Sequence, residues 1–484
     1  MTANDVALTF PPLNRVKLST LHHCLTGFAR HALPGLRRAR WAVLPVLVAG
    51  FLGPARGSDA DAKDGDRAAI PRTLTLGQAK QIAFERNWDL LAAKANVDQA
   101  MAQKIVAREF PNPTASFNTS KINTDGRTNS TERGNSLWHR SYDTIFAINQ
   151  LFEIGKRGPR QASAVAGAEA AAASFKDARR TLDLAVSKAY VAALLAQADV
   201  RILHQSAESL QHEAKIAETR LNAGDISKSD KAQIEIAAAQ LELSAETAQS
   251  NAVMARITVE VLLGEKNPRG VWTLADSLDA LAAIESPHGT SEPRPDLVAA
   301  EAALRKAGAD LRLQQAMRLP DPTWQAQYER QPPDQPNTVG FGVSLPLPLW
   351  NRNGGNIRAA LAAQDQAATL VGKVQTQIAS DIADAEVSYH EAATRWRRYK
   401  NQIQPSSAKV LETVSYAYQK GGAALLDLLS AQRTDNDVRI ATAQAMADSA
   451  SAAATLASVR NITSKAAPPA SSTTPTKIHA TPQH

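Results

Sequence analysis

Residues 182–221 read LDLAVSKAYVAALLAQADVRILHQSAESLQHEAKIAETRL. Their apolar positions fall at Leu182, Val186, Ala189, Ala193, Ala196, Val200, Leu203, Ala207, Leu210, Ala214, Ala217 and Leu221, in steps that alternate four and three without a miss. A hydrophobic repeat of 3.5 residues is the mark of a coiled coil. After Gly224 the chain does the same again, through Ile234, Ala238, Leu241, Ala245, Ala248, Ala252, Ala255, Val259 and Leu262. Residues 159–222 as one helix would be roughly 95 Å long, the length of a strut or tunnel wall. On this feature alone a solvated coiled coil is an equally good reading.

The composition agrees with long, closely packed helices. Of the 484 residues 44% are apolar but only 5% aromatic, and alanine is the largest part of the apolar share. Alanine is the best helix former and lets helix backbones approach closely. The net charge of +7 is concentrated at the start: residues 1–57 hold seven basic side chains against the single acid Asp5, which leaves +1 for residues 58–484. That remainder has no basic excess to hold nucleic acid. The lone cysteine, Cys24, lies in the same opening stretch, so the rest of the chain has neither a disulfide nor a thiolate site.

The opening stretch reads as a leader. Arg37, Arg38 and Arg40 precede an apolar run from Trp41 to Leu52, and Ala55 and Gly57 supply a small-residue cleavage site. The run is too short to span a bilayer as a helix. The residues around Cys24, Leu21-His22-His23, lack the small side chains of a lipidation site. No other apolar stretch reaches membrane-helix length, so any crossing is expected to use strands.

The chain also reads twice. The stretch 89–95, DLLAAKA, returns as 296–302, DLVAAEA, and each opens a helical stretch that stops at a Pro-x-Pro, residues 111–113 and 320–322. Two strand-like segments with a polar loop follow in each copy: 114–120 and 142–151, then 323–330 and 339–345. Val339, Phe341, Val343 and Leu345 alternate with Gly340, Gly342 and Ser344. Four strands of about ten residues suit tilted membrane strands, with Trp138, Tyr142, Trp324, Tyr328 and Trp350 near their ends as an aromatic girdle. Four strands cannot enclose a pore, so a barrel would be shared between chains. Each copy then enters a long Ala-rich helical stretch broken by glycine, at Gly224 and at Gly421-Gly422. The second copy's seam, Ala431, Thr434, Val438, Ala441, Ala445, Ala452, Thr455, Val459 and Ile462, is interrupted by Asp448, and its descending limb, 356–419, is less regular.

This duplicated order resembles TolC-type outer-membrane efflux proteins across roughly residues 71–463. RLNAG at 220–224 followed by DIS at 225–227 is similar to the family's first periplasmic hairpin tip, and YQKGG at 418–422 followed by LLDLL at 425–429 to the second. LPLPLWNRNGGNI at 345–357 and IGKRG at 154–158 resemble the outer-membrane component of cobalt-zinc-cadmium resistance systems. The resemblance implies a mainly α fold with a small β part: duplicated helix-hairpin repeats that form, in a homotrimer, a helical periplasmic tunnel and a shared twelve-stranded transmembrane β-barrel. It implies an outer-membrane location with a long periplasmic extension, contact with outer-membrane lipid, and docking to a periplasmic adaptor and a proton-driven, RND-type inner-membrane pump. The expected domains are a leader (1–57), a flexible linker (58–72), the first repeat (73–285), the second repeat (286–464) and a disordered Pro/Ser/Thr tail (465–484).

The resemblance also assigns roles at the tips. Asp427 and Tyr418 match the family's aperture aspartate and tyrosine. Three copies of Asp427 around an opening would favour cations. The alternative for Asp427, an acid stabilised at a helix N-terminus, stays open. Ser430 stands where a second aspartate is often found, and Ala423 near a latch arginine. Arg220, Gly224, Gly421 and Gly422 are the candidate adaptor contacts, and the glycines equally serve the turns. No cofactor, metal site or catalytic constellation is expected. His204 and His212 are eight apart, too far for ligands on adjacent turns, and residues 353–356, NGGN, lack the lysine of a phosphate loop. The competing readings are a periplasmic coiled-coil adaptor or strut, and a channel of the same type for drugs or other organic compounds.

Overall fold

The structure is a computed structural model that describes residues 70–120, 143–283, 292–331 and 335–462. The leader, most of the linker, Cys24, Trp138, Tyr142 and the C-terminal tail lie outside the described residues.

Long helices dominate. The first copy has α1 (Leu76–Arg86), α2 (Trp88–Val106), α3 (Arg157–Ala223) and α4 (Lys228–Leu262), then a short α5 (Leu278–Ala282). The second has α6 (Pro295–Ala316), α7 (Gly354–Arg398), α8 (Gln404–Gln419) and α9 (Leu425–Val459). α3 has 67 residues, which at 1.5 Å per residue is roughly 100 Å. The first two helices begin at side-chain caps: Thr75 and Gln78 exchange hydrogen bonds at α1, and Asn87 receives the Leu90 amide at α2. Both α2 and α6 end a few residues short of the prolines that follow them.

Every seam position on α3 and α4 is buried or half-buried. In α9 the seam shifts. Leu428, Asp435, Thr442, Ser449 and Leu456, seven residues apart, form its most deeply buried line, while Thr434 is exposed. The pattern of apolar residues sits one position away because three of these five are polar. Asp448 is no core defect: its carboxylate lies 2.6 Å from Arg395 on α7. The irregular descending limb also has a cause. Between α7 and α8 the chain makes a π-helical turn (Tyr399–Ile403), in which the Gln404 amide bonds to the Tyr399 carbonyl. Pro405 follows at once and lacks an amide hydrogen, and the wider turn shifts the heptad register.

Near its middle the bundle is knotted to the chain's two crossovers. β1 (Thr73–Leu74) pairs in parallel with β4 (Thr273–Leu274). Beneath them Tyr190 of α3 is fully buried, stacks on Trp272, and donates its hydroxyl to the Leu74 carbonyl at 2.8 Å. Burial pushes the Tyr190 phenol far above its ordinary pKa, so it stays a hydrogen-bond donor.

The sheet is antiparallel in the order β2 (Thr114–Thr119), β3 (Thr144–Leu151), β5 (Thr323–Gln331), β6 (Gln335–Ser344). Residues paired across antiparallel strands share a face. One face carries the rows Phe117–Phe146–Tyr328–Val339, Ala115–Ile148–Ala326–Phe341 and Gln150–Trp324–Val343. The other carries Ser116–Ala147–Gln327–Gly340 and Thr114–Asn149–Gln325–Gly342. All the large side chains of the first face are exposed. Tyr328 lies mid-strand rather than at an end, 6.5 Å from Phe146, and Trp350 lies beyond the end of β6.

Candidate functional site: the hairpin tips and the sheet face

α3 and α4 meet at Gly224, whose φ of +85° only glycine adopts without strain. The Gly224 and Asp225 amides return to the carbonyls of Leu221 and Arg220. Ser227 and Asp230 then form a reciprocal cap that starts α4. The second tip repeats this design. Gly421 has φ +76°, its amide bonds to the Tyr418 carbonyl, and the Gly422 amide bonds to Ala417. Of the two glycines only Gly421 needs the left-handed conformation, and Gly422 has ordinary backbone angles.

The structure brings Arg220 and Tyr418 together. Arg220 lies on the first hairpin and Tyr418 on the second. The guanidinium sits 5.1 Å from the centre of the Tyr418 ring and donates to the Tyr418 carbonyl at 3.3 Å. Tyr418 is only 4% exposed, and its hydroxyl has no hydrogen-bond partner among the described residues. Burial raises its pKa; the nearby Arg220 opposes this, and Glu213 and Asp230 add to it. Glu213 is buried beside them and accepts from the Gln419 side chain at 3.3 Å. Glu213 and Gln419 had no motif to reveal them. The one available signal was that Glu213 lies a single heptad before Arg220.

Asp427 lies elsewhere. It is exposed in the first turn of α9, and its carboxylate accepts the Ala424 amide at 3.2 Å. That is the helix-terminus role anticipated as its alternative. It also lines an open groove between α8 and α9, with Val410, Val414, Ala417, Ala423 and Ser430. Asp427, Ser430 and Ala423 therefore share one surface, while Tyr418 faces the first hairpin.

Higher up, a polar layer joins three helices. Asp435 of α9 is 1% exposed, accepts from Ser407 of α8 at 2.8 Å, and pairs with Arg439 at 2.6 Å. Next to it Ser206 of α3 donates to Asn436 at 3.0 Å. Low surrounding dielectric makes such groups costly to leave unpaired, so the layer fixes helix register. Among the described residues no cluster of His, Cys, Asp and Glu is arranged to hold a metal ion, and no helix is long and apolar enough to cross a membrane.

A sheet with one exposed aromatic face and one polar face, joined to helices of tunnel length, defines a class of protein. The family model described as outer membrane efflux protein matches residues 80–265 and 287–461, and the chain belongs to that family. It is an outer-membrane efflux protein, a conduit and not an enzyme. Among curated proteins it is 27% identical over 375 residues to the cobalt-zinc-cadmium resistance protein CzcC of Cupriavidus metallidurans, covering 76% of this chain and 85% of that one. It is likewise 27% identical over 384 residues to the pyoverdine export outer membrane protein OpmQ of Pseudomonas aeruginosa, covering 74% and 79%. The fold matches the outer membrane protein VceC of Vibrio cholerae with a TM-score of 0.64, 20% identity and coverage of 80% and 96%. It matches the Campylobacter jejuni CmeC outer membrane channel with a TM-score of 0.65, 18% identity and coverage of 80% and 85%.

Proposed function

We propose that the chain works as a homotrimer, the passive exit duct of a tripartite efflux system whose cargo is heavy-metal cations. One observation supports the trimer above others. Among the described residues β2 and β6 each have a single strand neighbour, on a sheet whose outer face is apolar and exposed. Hydrocarbon does not tolerate open sheet edges. Joining β6 of one copy to β2 of the next satisfies both, and three copies make a closed barrel of about twelve strands.

The hairpin tips form the gated end. The Arg220–Tyr418 contact ties the second hairpin to the first and holds the closed state from behind. Asp427, repeated around the trimer axis, sets cation preference at the opening. The turns at Gly224, Gly421 and Gly422, with the exposed Leu426 beside them, present the surface for a periplasmic adaptor, which in turn meets an RND-type pump. The metal cargo is supported by the CzcC relative and by residues 345–357. The OpmQ relative, equally identical, supports an organic cargo, and the two readings differ in charge preference.

Single-channel conductance of the mature protein in a planar bilayer tests this. Cation-selective pores, blocked by divalent cations in the wild type but not in Asp427→Ala, support the duct and its aspartate ring. Pores without cation preference move the cargo toward organic compounds. A protein that stays soluble without detergent and forms no pore overturns the channel.

A further inference from the structure

The strand ends on the helical side of the sheet run into four short junctions. Residues 107–113 precede β2, residues 152–160 leave β3 for α3, residues 317–322 precede β5, and residues 345–358 leave β6 for α7. These segments hold seven basic residues against the acids Glu109, Glu153 and Asp321, a net of +4, whereas residues 58–484 total only +1. Two of the acids are already engaged: Glu153 with Arg160, and Asp321 with Lys156. Among the described residues no carboxylate lies within ion-pair distance of Arg108, Arg157, Arg318, Arg352 or Arg358. Neither α3 nor α7 has an acid in its first turn, so this charge is set against the helix dipole. Lys156, Arg157 and Arg160 are engaged within the chain, but the exposed Arg108, Arg318, Arg352 and Arg358 have no such ion pair among the described residues, and a partner of opposite charge is wanted for them outside the chain.

The same junctions are apolar on their surface. Leu345, Leu347, Leu349 and Trp350 are all exposed, Trp350 at 93%, and they extend from the exposed aromatic face of the sheet. Pro346 and Pro348 take this stretch out of the sheet, and the Leu349 amide bonds to the Leu347 carbonyl in a tight turn that leaves the large side chains exposed. On the other junction the Arg157 guanidinium lies 4.0 Å over the exposed Phe110 ring and donates to the Arg108 carbonyl.

We infer that this collar binds anionic phospholipid headgroups of the leaflet on the helical side of the barrel. The inference rests on the sheet being the membrane wall. Trp350 and the leucines enter the boundary between headgroups and acyl chains, where aromatic side chains are at home. The unpaired arginines take the phosphates, for which the guanidinium fork is suited. The collar thereby fixes the depth of the barrel and the point at which the helices leave the bilayer.

Native mass spectrometry of the full-length, detergent-purified protein tests this with added phosphatidylglycerol or phosphatidylcholine. The wild type should retain phosphatidylglycerol in preference. Arg352→Gln should weaken that retention about fivefold, and Arg108→Gln combined with Arg352→Gln about 25-fold, roughly a factor of five per charge. Phosphatidylcholine retention should not change in either variant. Trp350→Ser should weaken both lipids alike. Equal retention of the two lipids by the wild type, or an unaltered preference in the double variant, overturns the collar. Pores in a bilayer without a phosphatidylglycerol preference sink this inference alone, whereas failure to form pores sinks the channel itself.

Discussion

The two hairpins share a plan and differ in what holds them. α3 and α4 close on a continuous stripe of alanine and branched aliphatic residues, sealed at the tip by glycine and a serine cap. α8 and α9 close on a line that is polar at Asp435, Thr442 and Ser449, and their long helix is interrupted by a π-turn. An apolar seam has no donor or acceptor to satisfy, so a small shift leaves no polar group unpaired. A polar layer has few satisfied arrangements and switches between them. The first hairpin is therefore the fixed wall and the second the part suited to discrete movement.

The largest break in this comparison is a charge placed in each seam. Ala245 of α4 is fully buried, and Ala245→Asp should destabilise the protein by about 3 kcal/mol or more, because an unpaired carboxylate is buried. The same change at Thr434, a seam position by sequence but exposed in the structure, should stay within about 0.5 kcal/mol. Urea denaturation followed by circular dichroism measures both, and equal losses would mean that the two seams are alike after all. A smaller effect is expected in the polar layer. Asp435→Ala leaves Arg439 and Ser407 without their acceptor and should cost about 2 kcal/mol, the half-exposed arginine being partly rescued by water. A double-mutant cycle with Ser407→Ala should show coupling, and strict additivity would remove the layer as a register device.

These differences also explain what the sequence disclosed. Wherever burial is carried by apolar residues it was legible: the seams of α3 and α4, the Pro-x-Pro stops, the alternation of Val339, Phe341 and Val343. Where burial is carried by polar groups it was not. The core line of α9 runs through Asp435, Thr442 and Ser449, and hydrophobic periodicity is blind to a buried carboxylate that pairs with residues on its own and a neighbouring helix. The π-turn hid for a related reason, since one extra residue per turn leaves composition untouched. At the tips the local motifs located the turns, but only the packing of one hairpin on the other shows that Tyr418 is beneath Arg220 and that Asp427 faces away.

The smallest effects separate the two tips most finely. Arg220→Ala removes the ring contact and one hydrogen bond, and should cost about 1 kcal/mol while increasing open time in single-channel records. Unchanged gating would leave the contact a matter of packing only. Tyr418→Phe should stabilise the protein by about 1 kcal/mol at neutral pH, because the hydroxyl it removes is buried without a partner among the described residues. A further effect appears in alkali. Burial, aided by Glu213 and Asp230, raises the Tyr418 pKa above its unfolded value. The folded protein therefore keeps the phenolic proton longer than the unfolded chain does. The stability linked to that proton is fully present below about pH 10 and is lost as pH rises through the folded pKa. Phenylalanine has no proton to lose, so the margin of Tyr418→Phe over the wild type in urea should be small at pH 7 and widen above about pH 10. A loss of stability at pH 7 instead would mean that the hydroxyl does find a partner, and that the second hairpin is pinned to the first by a hydrogen bond as well as by the Arg220 stack.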